Sequence, residues 1–258
     1  MQQANNEQAA QLQLNQVAVN VVVGQSVRPL LQNIDLTVQP GEFVTVLGAN
    51  GAGKSTLFNA ITGDVPLAGG TITLAGHDIS AAKRERRAHL IARVFQDPKM
   101  GTAPRMTVAE NLALASRRGQ RLTLASRQLK AQFSAFEKLA AQTGNGLEKA
   151  LNKPTEELSG GQRQALSLLM ATMRRPELLL LDEHTAALDP HTSEAIMTLT
   201  QQIVAREQLT CLMITHQLED ALTYGSRLIV LQAGHIVADY SGEAKAQLTR
   251  ADLLQYFG

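Results

Sequence analysis

Gly48-Ala49-Asn50-Gly51-Ala52-Gly53-Lys54-Ser55-Thr56 stands between an apolar run, Phe43-Val44-Thr45-Val46-Leu47, and Leu57-Phe58-Asn59-Ala60-Ile61, a helical segment closed by Gly63. Strand, glycine loop and helix in that order are the setting that the phosphate-binding pattern G-x-x-x-x-G-K-[ST] requires. Glycines let successive backbone N–H groups converge on a phosphate, and the helix start adds a partial positive charge. In such a loop Lys54 reaches the β- and γ-phosphates, and the Ser55 hydroxyl ligates the Mg²⁺ that bridges them. Gly48, Asn50, Gly51, Ala52, Gly53, Lys54, Ser55 and Thr56 are therefore the first candidate nucleotide-binding set. The loop alone does not say which kind of NTPase this is.

The 258-residue chain is long enough for a large α/β core with an inserted or appended subdomain. A net charge of +1 gives no global field for a polyanion. Basic residues cluster at Lys83-Arg84-Glu85-Arg86-Arg87 and around Arg117, Arg118, Arg121 and Arg127, and read as solvated helix faces. A nucleic-acid surface would interleave stacking aromatics, and this chain has no Trp, so no nucleic-acid partner is expected. The one cysteine, Cys211, excludes an internal disulfide, fits a reducing cytoplasm and reads as an inert core thiol. No apolar stretch approaches the ~20 residues of a membrane span, and no charged-then-apolar leader opens the chain. A membrane role is expected to come through a partner.

Residues 1–11 are rich in Gln, Ala and Asn and read as a disordered tail. Alternating runs from Leu12 to Val23, at Ile34–Val38 and at Thr71–Ala75 suggest an antiparallel layer beside a parallel core. Arg84–Leu90 looks helical and Ile91–Phe95 a strand ending at Gln96-Asp97-Pro98. Strand signals then vanish to about Glu157, so 99–157 reads as a helical subdomain set into a core of 12–98 and 158–258. Ser159 is a good N-cap for a helix with Leu166, Leu169, Met170 and Met173 on one stripe. Leu178–Leu181 is a buried strand ending in Asp182-Glu183, and Asp189-Pro190 opens the next helix. Cys211–Thr215 is another core strand with His216 at its carboxyl end.

A strand ending in two acids is the second part that a phosphate-loop ATPase needs. Asp182 would hold Mg²⁺, most often through a water, and Glu183 would accept a proton from the attacking water. Alone this is a weak motif; together with the glycine loop it forms a catalytic pair.

With these residues in place the chain resembles the ABC-type ATPases, from about Leu14 to about Asp239. Leu158-Ser159-Gly160-Gly161-Gln162 is similar to the family's signature sequence, Gln96 to its Q-loop glutamine, Ala187-Leu188-Asp189 to its D-loop and His216 to its switch histidine. The resemblance implies an α/β fold with a RecA-like, mostly parallel sheet, an antiparallel β layer and an inserted helical subdomain. It also implies an ATP-dependent dimer, head to tail, with two ATP molecules sandwiched between subunits. Ser159, Gly160, Gly161 and Gln162 of one subunit would face the γ-phosphate held by Lys54 of the other. His216 would position Glu183 and the water. Gln96 would link Mg²⁺ to whatever docks on the helical insertion.

Two positions depart from the family pattern. Val21-Val22-Val23-Gly24 stands where an aromatic residue usually stacks on adenine, so base selectivity is expected either to be weaker or to rest on apolar contact alone. His184 stands where proline is commoner after the glutamate; it reads as a turn residue, since no second ligand is placed beside it. His77, His89, His191 and His235 read as surface or loop residues. The runs Val94–Thr102 and Asp182–Asp189 are similar to a subgroup of bacterial importer ATPases paired with branched-chain-amino-acid-like permeases and lipoprotein receptors of the tryptophan/tyrosine-binding type. That resemblance implies a cytoplasmic subunit held on the inner face of the membrane by a permease and serving an amino-acid-type importer. An exporter ATPase, or a soluble non-transport ATPase of the same family, would carry the same nucleotide site.

Overall fold

A computed structural model describes residues 11–24, 26–120 and 129–257. The expectation for 1–11 thus lies outside the described residues except at Gln11, and Arg121 and Arg127 lie outside them too. The strands are β1 (Leu12–Val23), β2 (Ser26–Val38), β3 (Phe43–Leu47), β4 (Gly69–Leu74), β5 (His77–Asp78), β6 (Ile91–Val94), β7 (Leu178–Asp182), β8 (Cys211–Thr215), β9 (Arg227–Gln232) and β10 (His235–Ser241). The α-helices are α1 (Lys54–Thr62), α2 (Arg84–Arg87), α3 (Val108–Ala115), α4 (Leu129–Ala141), α5 (Gly160–Thr172), α6 (Pro190–Glu207), α7 (Leu218–Thr223), α8 (Gly242–Ala246) and α9 (Arg250–Leu254). The chain divides into two compact units, one running up to Arg87 and resuming at Thr210, the other Ala88–Leu209.

In the first unit, β2, β1, β4 and β5 form an antiparallel sheet in that order. Leu14 pairs with Leu36 on one side and Ile72 on the other, so the buried residues of three strands share a face. The alternation slips between Leu14 and Val17, where Gln16 takes a φ of 49° and its N–H donates to Asp35 Oδ1 at 2.8 Å. β2 begins well before the Ile34 that its alternation suggested. Its first residues are exposed and include Pro29, which an edge strand tolerates.

β3 is buried at every position, as a strand flanked on both sides must be, and runs parallel to β8 and β9. β10 returns antiparallel to β9. Arg227 at the start of β9 ties these layers together. Its guanidinium grips Asp239 of β10 with bonds of 2.7 and 2.5 Å, and donates to the Thr37 carbonyl of β2 at 2.7 Å. Leu47, Leu228 and Val230 pack with Ala221 and Leu253, and Tyr256 and Phe257 cover that cluster. The Tyr240 and Tyr256 hydroxyls meet at 2.6 Å.

One expectation fails in this unit. The Lys83–Arg87 run is not wholly a solvated face, because Arg87 is only 3% exposed. Its Nη1 donates to the carbonyls of Ala60 and Ile61 at 2.7 and 2.9 Å, Nε to Ala82 and Nη2 to Ser80, each at 2.9 Å. Ala60 and Ile61 lie at the end of α1, where carbonyls lack helical partners, so a cation is favoured there. Desolvation holds the Arg87 pKa below its ordinary value. The helix read as Arg84–Leu90 is correspondingly only Arg84–Arg87.

In the second unit, β6 and β7 are parallel, Ile91 against Leu178 and Val94 against Leu181. Leu178–Leu181 are fully buried. Helices follow where strand signals ended: α3 opens on a Thr107–Glu110 capping box, and α6 on Asp189 with Pro190 in its first turn. Arg118 is likewise no solvated residue; Nη1 donates to Ala171 at 2.8 Å and Nη2 to the Arg174 carbonyl.

Candidate functional site

The glycine loop follows β3 directly and ends in α1, with Gly53 as N-cap at a φ of 108° and Gly51 at 82°. These values are open to glycine and strained for other residues. A Cβ at Gly48 would stand 2.3 Å from the Leu231 carbonyl oxygen, so that position is fixed by close packing as well. The Ala52 carbonyl accepts from Gly234 N–H in the β9–β10 turn at 2.9 Å, which pins the loop from behind. Asn50, Gly51 and Ser55 are exposed at the mouth, while Lys54 is 5% exposed. Its ammonium donates back to the loop's own carbonyls, Gly48 at 2.7 Å and Ala49 at 3.1 Å. In this unit too, His216 is exposed after β8. Asp220, in the first turn of α7, is held above the usual carboxylate range by burial, a rise opposed by the nearby His216. Asp220 had no sequence signal beyond an acid near a helix start.

The second unit carries the other candidates. Asp182 is the last residue of β7, and Glu183 follows at a φ of 45°, left-handed and therefore strained by roughly 1–3 kcal/mol. Asp182 Oδ2 is paired with Arg93 Nη2 at 2.5 Å, and the Arg93 guanidinium lies 4.9 Å from the centroid of the Phe95 ring. Gln96 comes next in sequence and is exposed. Sequence reading assigned Arg93 no role; a charge in the middle of an apolar strand was the available sign. His184 is buried, with Nε2 3.1 Å from Thr200 Oγ1, and desolvation lowers its pKa to about 4. That is a neutral core histidine with a hydrogen-bond partner on α6.

Ser159 caps α5, accepting from Gln162 N–H at 3.2 Å while Gln162 Oε1 accepts from Ser159 N–H at 3.3 Å. Gly161 has a packing reason of its own: a Cβ there would stand 2.4 Å from Thr192 Cγ2 on α6. Gln164, on the same helix, donates to the Phe95 carbonyl at 3.4 Å, tying α5 to the segment that leads to Gln96.

The oxygen donors proposed for the metal, the Ser55 hydroxyl, the Gln96 amide and the Asp182 carboxylate, suit a hard cation. Among the described residues no group of three His, Cys, Asp or Glu side chains forms a metal cage. Mg²⁺ is such a cation, bound through one or two carboxylates together with substrate phosphates and water.

A glycine loop opening a helix behind a buried parallel strand, with a second apolar strand ending in paired acids, defines a phosphate-loop ATPase. The ABC transporter family model matches residues 31–186, and the chain belongs to that family. It is 44% identical over 228 residues to the tyrosine transport ATP-binding protein of Clostridioides difficile (strain R20291), covering 88% of this chain and 90% of that one. It is 36% identical over 212 residues to the thiamine import ATP-binding protein of Yersinia pestis, covering 82% and 84%. Among solved structures, a dimeric post-hydrolysis ATP-binding cassette bound to ADP and Pi superimposes with a TM-score of 0.77 at 26% identity, over 89% of this chain and 98% of that one. The chain is thus an ATP-binding ABC ATPase subunit whose activity is coupled to transport. Among the described residues no helix is long and apolar enough to cross a membrane.

Proposed function

We propose that this ATPase drives an importer for an aromatic amino acid or a related small solute. The observation that carries the reading is the 44% identity, over 88% of the chain, to a tyrosine transport ATP-binding protein. Residues 12–258 form the ATPase domain, with 12–98 and 158–258 as nucleotide-binding core and 99–157 as helical subdomain. Lys54 and the loop N–H groups hold the ATP phosphates, Ser55, Gln96 and Asp182 hold Mg²⁺, and Glu183 accepts the proton of the attacking water while His216 keeps that water in place. Bound Mg²⁺ neutralises charge on the β- and γ-phosphates. Ser159, Gly160, Gly161 and Gln162 complete the site of a second subunit in an ATP-dependent dimer, with a second copy of this chain or a paired ATPase subunit as the partner.

The subunit works on the cytoplasmic face, held there by an integral membrane permease that receives solute from a binding lipoprotein. The stretch after Gln96 suits a permease contact: Met100 is 70% exposed, an apolar side chain left in solvent beside the candidate Q-loop. Valines serve the adenine ring by apolar contact, since Val22 and Val23 are 70% and 62% exposed at the β1–β2 tip.

The test is to purify the chain from membranes with its permease in lipid vesicles and measure ATPase rate against tyrosine, tryptophan and their binding protein. Stimulation by one aromatic amino acid, dependent on the binding protein, is the expected result. Stimulation without a binding protein, by a substrate presented on the ATPase side, would place the subunit in an exporter.

A further inference from the structure

β6 and β7 run parallel with Arg93 opposite Leu180. Side chains alternate along a strand, so Arg93 and Phe95 share a face with Leu180 and Asp182. On that face the Arg93 guanidinium holds Asp182 Oδ2 at 2.5 Å, and its carbon lies 4.9 Å from the centroid of the Phe95 ring. The pair is sheltered, with the Arg93 and Asp182 side chains 12% and 15% exposed, so solvent screens it less than a surface pair.

We propose that Arg93 is a resident counter-ion at Asp182, in competition with the divalent metal for that carboxylate. The inference rests on the reading of Asp182 as the metal's carboxylate. A carboxylate at a strand end, partly buried with no cation beside it, would be costly between turnovers. Arg93 removes that cost and fixes the carboxylate's rotamer. The same charge works against a dication, because a cation within a few ångströms repels another in a partly buried site. The metal's hold on Asp182 is thereby weakened. The Phe95 face gives the guanidinium a second favourable contact when its grip on Oδ2 loosens. Phe95 precedes Gln96, so a movement of Arg93 between acid and ring falls on the strand end that leads into the candidate Q-loop.

Mn²⁺ binding to the ADP-loaded protein, titrated by electron paramagnetic resonance, tests this without hydrolysis. Arg93→Gln should bind Mn²⁺ roughly threefold to tenfold more tightly than wild type. Arg93→Lys, which keeps the charge, should stay near wild type. Unchanged or weaker Mn²⁺ binding in Arg93→Gln overturns the inference, and so does an Arg93→Lys that tightens equally, since the effect would then be lost packing on Phe95. Asp182→Asn examines the underlying reading: if Mn²⁺ affinity does not fall, Asp182 is not the metal's carboxylate and both statements fail. A fall in Asp182→Asn without tightening in Arg93→Gln removes the counter-ion role alone. Should Arg93→Gln not fold, the wild-type Arg93 side-chain nitrogen resonances provide the same test. They should shift when Mg²⁺ is added to the ADP complex, and no shift would overturn the proposal.

Discussion

Lys54 Nζ lies 2.7 Å from the carbonyl oxygen of Gly48, the first residue of its own loop. The ammonium is therefore stored against the loop that it serves. Lys54→Ala removes a charged donor to phosphate, a loss of about 1.5–3 kcal/mol. Nucleotide affinity should fall roughly tenfold to a hundredfold, read by fluorescent-nucleotide titration with and without Mg²⁺. Undiminished affinity would remove Lys54 from the phosphate site.

Glu183→Gln keeps the side chain's size and so leaves the φ of 45° undisturbed. It removes the proton acceptor, for which general-base catalysis supplies roughly 10²–10⁴-fold in rate. Phosphate release should drop by that order while nucleotide affinity stays within about threefold of wild type. Near-normal hydrolysis would show that Glu183 is not the base.

Gly161 is hemmed in by Thr192 Cγ2, 2.4 Å from where a Cβ would stand. Gly161→Ala should destabilise the monomer by about 1–3 kcal/mol through overpacking. Thr192→Ser removes the clashing methyl and should restore most of that stability in urea melts. The double variant then separates two effects: if it is stable yet hydrolyses ATP poorly, the alanine acts on the nucleotide of the neighbouring subunit. Full activity would confine Gly161 to packing.

His184 titrates at about 4 in the fold, against an ordinary value of 6.5. Between those values the unfolded chain binds the extra proton and the folded chain does not, so stability rises with pH across that window. It is complete above about pH 6.5 and lost as pH falls toward 4, by an upper figure of about 3 kcal/mol. His184→Asn should flatten the stability slope between pH 4.5 and 6.5 relative to wild type, measured by denaturant melts. Parallel slopes for the two proteins would show that burial does not hold the imidazole neutral.

The glycine loop, the paired acids after Leu178–Leu181 and the Ser159 cap were legible because each is written in adjacent residues with a local physical purpose. Arg87 was not. It lies in a run of charges that looks solvated, and its burial depends on the carbonyls of Ala60 and Ile61 at the end of α1, distant in sequence, as well as on those of Ser80 and Ala82. Arg93 escaped notice for a similar reason, since the acid it holds belongs to another strand. The early half of β2 was masked by Pro29 and by polar residues at exposed positions, where an edge strand has no alternation to display. Non-local partners of charged groups were the common blind spot.

The seat of Arg87 also bears on how this sequence can vary. A Cβ at Gly63 would stand 3.0 Å from Arg87 Nε, so the guanidinium occupies room that exists because position 63 is bare. The two positions form one heritable unit. A lineage that gained a side chain at 63 while keeping arginine at 87 would disturb the brace at the far end of α1, the helix that the phosphate loop opens. Relatives are therefore expected to keep glycine and arginine as a pair or to have exchanged both.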